Sequence, residues 1–174
     1  MIRHFTPADY TAMPWANGRG TTVEMLRETD QDGAFRLRLS MARVMEDGPF
    51  SSFPGIERNL TVISGPGFDL VGDASIKAAP LVPVAFAGDV SIAAVGVVAP
   101  SDDFNVMTAR VLPLPEVYVA SETDISPPSD GRLALFALNV GTVSGGAVGK
   151  YDLILTDEKT RLEGGPFIVV ALRF

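Results

Sequence analysis

DGPFSSFPGIERNLTVISGPGFDLVG, residues Asp47 to Gly72, divides into three parts in a fixed order. A turn-rich lead-in, Asp47-Gly48-Pro49-Phe50 and then Phe53-Pro54-Gly55, sets two aromatics against Pro and Gly punctuation. A single basic residue, Arg58, then stands at the mouth of an apolar strand from Leu60 to Ile63. A Gly-Pro-Gly turn at Gly65 to Gly67 leads into a second strand, Phe68 to Val71. The stretch predicts a hairpin whose first strand carries a charge where the chain enters a barrel-like sheet. Arg58 then marks the ligand end of a β-barrel.

Composition bounds what surrounds this stretch. With 174 residues, 47% apolar and 20% charged, the chain can bury a core as one domain or two small joined ones. Seventeen Gly and thirteen Pro along the whole length call for many short strands joined by turns. A formal charge of −7 argues against nucleic acid or an anionic membrane surface as the main partner. The absence of Cys removes disulfides, thiolate metal sites and Cys catalysis, and fits a reducing cytoplasm. MIRHFTPADY at the start has no apolar signal-peptide core, and no stretch reaches the roughly 18 apolar residues of a membrane span. A cytoplasmic protein without a membrane partner is expected.

Before the central stretch, Thr6-Pro7 reads as the start of a helix about one turn long, stopped by Pro14. Asn17-Gly18 and Gly20 mark a turn leading into a strand from Thr22 to Leu26. Phe35 to Ala42 alternates cleanly: Phe35, Leu37, Leu39 and Met41 share one face, Arg36, Arg38, Ser40 and Ala42 the other. After it, strands are expected in Ser75–Phe86, Val90–Val98 and Asp102–Leu112. Pro113 to Gly131 reads as a linker or long loop, and strands resume at Arg132–Val140, Tyr151–Thr156 and Phe167–Phe174. A faint echo between Phe68–Asp73 and Tyr151–Asp157 suggests an internal duplication.

The missing motifs narrow the chemistry. With His4 as the only His and no Cys, no His/Cys/Asp metal cluster assembles at ordinary spacing. No G-x-S-x-G elbow and no phosphate loop occur. What stands out is a set of polar residues in or beside apolar strands: Asn17, Glu24, Arg38, Arg58, Asp103, Asn105 and Arg110. A buried charge is costly unless paired, so three Arg and two or three acids would satisfy one another and leave a surplus of positive charge. A planar guanidinium suits a carboxylate held by two parallel hydrogen bonds.

These segments resemble the HutD/Ves family of cupin-like proteins. The resemblance runs through Met13-Pro-Trp-Ala-Asn-Gly-Arg-Gly-Thr-Thr-Val-Glu24, Arg38-Leu-Ser-Met-Ala42, Asp47 to Arg58, Phe86-Ala-Gly-Asp89 and Asp103-Phe-Asn-Val-Met107. It covers residues 1 to 112 well and the C-terminal third only in general character. Leu37 departs from it, since the family often has Trp before the Arg. The resemblance implies an all-β cupin (RmlC-like) β-barrel fold, a bicupin with two small barrels in one chain. Residues 1–112 would form the N-terminal barrel and 113–174 the β half that completes the second. It also implies an association with histidine utilisation as a small-molecule-sensing accessory protein.

Cupin spacing adds an independent point. Metal-binding cupins carry a Glu ligand seven residues before the Gly that ends the strand; counting back from Gly65 lands on Arg58. In that register the metal is replaced by a cation of the protein itself, so the pocket takes an anion and needs no cofactor. The expected ligand is a small carboxylate of the urocanate, N-formylglutamate or formate class, with Arg58 and Arg38 clamping it and Asn17, Asn105 and Glu24 orienting it. The alternative is a metal-independent isomerase- or epimerase-like enzyme acting on a small polar metabolite, with Glu24 or Asp103 as its base. The sequence leaves a homodimer open.

Overall fold

Leu37 and Leu39 are fully buried while Arg38 between them keeps some access to solvent, as a strand of period two with unlike faces requires. Patterns of this kind recur along the chain. The computed structural model describes residues 1–174 and is built almost wholly of strands. They are β1 (Ile2–Phe5), β2 (Thr11–Pro14), β3 (Thr21–Thr29), β4 (Phe35–Val44), β5 (Gly48–Pro49), β6 (Ile56–Ser64), β7 (Phe68–Gly72), β8 (Ser75–Ala78), β9 (Val84–Ala87), β10 (Ile92–Val95) and β11 (Ser101–Ala109). β12 (Glu116–Ala120), β13 (Thr123–Ile125), β14 (Gly131–Ala137), β15 (Gly141–Val143), β16 (Gly146–Val148), β17 (Leu153–Thr156), β18 (Thr160–Gly164) and β19 (Phe167–Arg173) complete the series. The expected helix at Thr6 is a single 3-10 turn, Pro7–Asp9, whose Asp9 carboxylate accepts from the Thr6 amide at 2.8 Å.

The strands form two compact units, Thr11–Val111 and Met1–Tyr10 with Leu112–Phe174. In the first, a six-stranded sheet β2-β3-β4-β11-β6-β9 and a four-stranded sheet β5-β10-β7-β8 enclose an apolar core. Leu60, Val62, Phe68, Leu70, Ile92 and Ala94 are its centre, drawn from both sheets. In the second, a five-stranded sheet β1-β17-β14-β19-β12 and a four-stranded sheet β13-β18-β15-β16 enclose another core, around Leu133, Leu135, Phe167 and Val169. β1 belongs to this unit because Ile2 to Phe5 pair with Thr156 to Leu153.

The two units repeat one strand order. β4-β11-β6-β9 in the first corresponds to β12-β19-β14-β17 in the second, and β5-β10-β7-β8 to β13-β18-β15-β16. The order supports the duplication but corrects the echo from which it was inferred. β7 corresponds to β15 and β17 to β9, so Phe68–Asp73 and Tyr151–Asp157 are not equivalent segments. In each unit the sheets face one another across a core without closing into a barrel.

Two further expectations change. β6 pairs with β11 and β9, and β7 with β10 and β8, so Gly65–Gly67 passes the chain between sheets and is not a hairpin turn. Both glycines have φ near the left-handed region, +84° and +83°. A Cβ on Gly67 would lie 2.1 Å from the Ala78 carbonyl oxygen, so the close crossing requires glycine here. Residues 113–131 are not structureless either: β12 and β13 lie within them, and β18 was not anticipated at all. Their short polar or proline-flanked strands show too few alternations to stand out from loops.

Candidate functional site: a cationic cavity in the first unit

The cross-strand register places the site. Met107 on β11 lies opposite Arg38 on β4 and Arg58 on β6, Asn105 opposite Ser40 and Leu60, and Asp103 opposite Ala42 and Val62. Residues directly opposite share a face of the sheet, and this is the face that builds the core from Leu60 and Val62. At one end the apolar core gives way to polar side chains around a cavity of about 450 Å³. Asn17, Arg38, Arg58, Asp103 and Asn105 all line it, so five of the seven residues selected from sequence converge.

Arg58 is the centre of the arrangement. Its Cζ stands 5.2 Å from the ring centre of Phe50, 5.3 Å from Phe53 and 5.1 Å from Phe86, a cage that attracts a cation through the ring quadrupoles. Phe86 is its direct cross-strand neighbour on β9. The two other rings come from the lead-in, which is pinned by Phe50 N–H donating to Ile92 O at 2.9 Å and Phe53 N–H to Gly88 O at 2.7 Å. The guanidinium is poorly satisfied by hydrogen bonds: Nη1 donates to Ser51 O and Nη2 to Asn105 Oδ1, both at 3.5 Å, while buried Nε has no partner. Burial lowers its pKa to about 10, opposed by Asp103 and assisted by Arg38, so it stays cationic at neutral pH.

Asp103 is 1% exposed. Its Oδ1 accepts a hydrogen bond from Asn105 Nδ2, and Asn105 Oδ1 faces Arg58, so the amide bridges acid and base. Burial pushes the carboxyl up to about 7, against the Asn105 hydrogen bond and the Arg58 charge, which both act to lower it.

Arg38 lines the cavity but is already compensated. Its Nε lies 2.9 Å from Glu24 Oε2, an ion pair at ionic distance whose N–H is not aligned as a hydrogen bond. Glu24 thus acts behind Arg38 and is not among the lining residues. Asn17 serves its own turn, its Oδ1 accepting from the Arg19 amide at 3.0 Å, while standing at the cavity wall. The loop that carries it is braced by Trp15 Nε1–H donating to Thr22 Oγ1 at 2.9 Å.

Arg110 is not part of the cavity. Its guanidinium holds Asp89 through Nη1 at 2.9 Å and Nη2 at 2.8 Å, and its Nε donates to Glu57. This draws the Asp89 carboxyl down to about 2. The cluster fastens β6 and the turn after β9 to the end of β11. His4 belongs to the second unit, its Nε2 2.7 Å from Asp152 Oδ2. No group of three His, Cys, Asp or Glu side chains gathers to hold a metal ion. The sequence reading missed the aromatic cage and Trp15, although Phe50 and Phe53 lie within eight residues of Arg58.

Residues 7–163 match the HutD family. The chain belongs to this family. Its structure superposes on HutD from Pseudomonas fluorescens SBW25, solved in a formate condition, with a TM-score of 0.88 and 29% identity over 99% of this chain and 98% of that one. A conserved protein of unknown function from Pseudomonas aeruginosa PAO1 gives 0.84 and 25% identity over the full length of both. Ylba from Escherichia coli gives 0.70 at 12% identity, a likeness of fold alone. An uncharacterised Pseudomonas putida protein described as lying in the hutC 3′ region is 39% identical over 106 residues, 58% of this chain and 55% of the relative, about half its length. HutD proteins are thus linked to the histidine-utilisation locus, and the fold of this one is cupin-like and all-β. No helix is long and apolar enough to cross a membrane.

Proposed function

We propose that the cavity of the first unit binds a small carboxylate, and that the chain serves histidine utilisation as an accessory or regulatory protein. The reading rests chiefly on Arg58. A guanidinium held under three phenylalanine rings, with long contacts at two nitrogens and none at the third, has unused hydrogen-bonding capacity facing a cavity. A carboxylate supplies what it lacks, two acceptors in one plane. The side chains gathered there also suit an anion better than a metal ion, with two Arg and a single cavity-lining acid.

The test is calorimetric titration with urocanate, N-formylglutamate, formate, histidine and glutamate, repeated on Arg58→Ala. Saturable heat is expected with at least one of the carboxylates. Loss of a charge-assisted pair worth about 1.5–3 kcal/mol should weaken it about ten- to a hundredfold in the variant. No heat with any of them, or affinity indifferent to Arg58, overturns the reading.

One observation favours a second reading. A buried carboxyl that titrates near neutrality is the chemistry of a general base, and Asp103 faces the same cavity. Conversion of any bound carboxylate, followed by NMR, would establish an enzyme.

A further inference from the structure

If an anion occupies the Arg58 end of the cavity, a second negative charge already stands there. Asp103 is joined to Arg58 through Asn105, and both acid and base lie on the inner face of adjacent strands. Asp103 is 1% exposed, so little of it meets bulk solvent. Two carboxylates sharing one guanidinium in such surroundings repel strongly, and the usual resolution is that one of them holds a proton.

We propose that Asp103 takes up a proton from solvent when a carboxylate docks on Arg58, so that anion and proton enter the cavity as a pair. The inference rests on the carboxylate-binding reading above. The step is a simple protonation: a solvent proton bonds to a carboxylate oxygen of Asp103, and Arg58 exchanges its buried counter-ion for the incoming one. Arg38 cannot substitute as the counter-charge, because Glu24 holds it at 2.9 Å.

The other charged groups nearby are engaged elsewhere. Asp102 points to the opposite face of β11, held by Arg43 Nε at 2.7 Å and Nη2 at 3.0 Å. On the loop after β4, exposed Glu46 pairs with Arg19 at 3.0 Å and Asp47 accepts from the Val97 amide at 2.8 Å. The residual cost of protonation is small near neutral pH, since burial already holds the Asp103 carboxyl at about 7. The inner faces of β12, β14 and β19, the corresponding strands of the second unit, carry Tyr118, Leu135 and Val169 in place of such a pair. The device is confined to the first unit.

The experiment uses the full chain with formate and N-formylglutamate, neither of which titrates between about pH 6 and pH 8.5. Proton uptake is read by a pH electrode in weakly buffered solution, and affinity by calorimetry across that range. The expected result is close to one proton taken up per bound anion near pH 8, with affinity falling about tenfold per pH unit above pH ~7. Asp103→Asn should bind without proton uptake and with pH-independent affinity. Should that variant fail to fold, a protonated-carboxyl band appearing in the infrared difference spectrum of the unmodified protein decides the matter. Binding that depends on Arg58 but takes up no proton overturns this inference alone. No saturable binding overturns both it and the reading beneath it.

Discussion

Asp103→Asn also makes a demand on the unliganded protein, one that needs no knowledge of the ligand. The carboxyl has an ordinary value of 3.8 and is raised to about 7 by burial in the folded chain. Between these values the folded protein holds a proton that the unfolded chain has released. Stability therefore falls as pH rises through this window, by about 1.4 kcal/mol per pH unit. The penalty is absent below pH ~4 and complete above pH ~7. Asparagine keeps the shape and an acceptor for Asn105 Nδ2 but cannot ionise. The stability of the variant relative to the original should therefore climb by roughly 2–3 kcal/mol from pH 5 to pH 7 and level off beyond. Urea unfolding of both proteins at half-unit pH steps measures this, and every other carboxylate cancels in the difference. Any pH-independent difference in packing displaces the whole difference curve without bending it, and the attraction of Arg58 for the ionised carboxylate is already contained in the value of about 7. Parallel stability profiles for the two proteins would refute the argument and show that Asp103 is ionised throughout.

Other consequences are simpler to check. Leu60→Ala removes a fully buried side chain from the core beneath the cavity and should cost about 2–5 kcal/mol in urea unfolding. Arg110→Ala should lower the thermal midpoint, because it releases Glu57 and Asp89, while leaving carboxylate affinity unchanged. Trp15 is the chain's single tryptophan and lines the cavity, so saturation with a bound carboxylate should shift its emission, and Arg58→Ala should abolish the shift.

Much of this site is legible in the sequence. The alternation from Phe35 to Ala42 assigned Arg38, Ser40 and Ala42 to one face, and that face lines the cavity. Arg58 could be singled out because a charge beside an apolar strand needs a reason to be there. Arg110 met the same criterion and was misplaced, since alternation tells which residues share a face but not what waits opposite them. Its partners Glu57 and Asp89 arrive from elsewhere in the sequence, brought together by pairing. The aromatic cage was hidden for the same reason: Phe86 meets Arg58 only through the register of β6 against β9. Gly65–Gly67 misled because a Gly-Pro-Gly turn between two strands suits a hairpin and a crossing between sheets equally well.

The pairing of β1 with β17 sets a timetable for synthesis. Thr11–Val111 is continuous in sequence, and every strand it needs has been made once β11 emerges. Ile2–Phe5 leave the ribosome ahead of that unit yet must await Leu153–Thr156, some 150 residues later. At roughly 5–20 residues per second that is an interval on the order of ten to thirty seconds. For that time the nascent chain trails an open strand edge, able to pair with any other edge it meets. The unit that carries the cavity is then ready long before its companion, and β1, made ahead of both, is among the last strands to find its place.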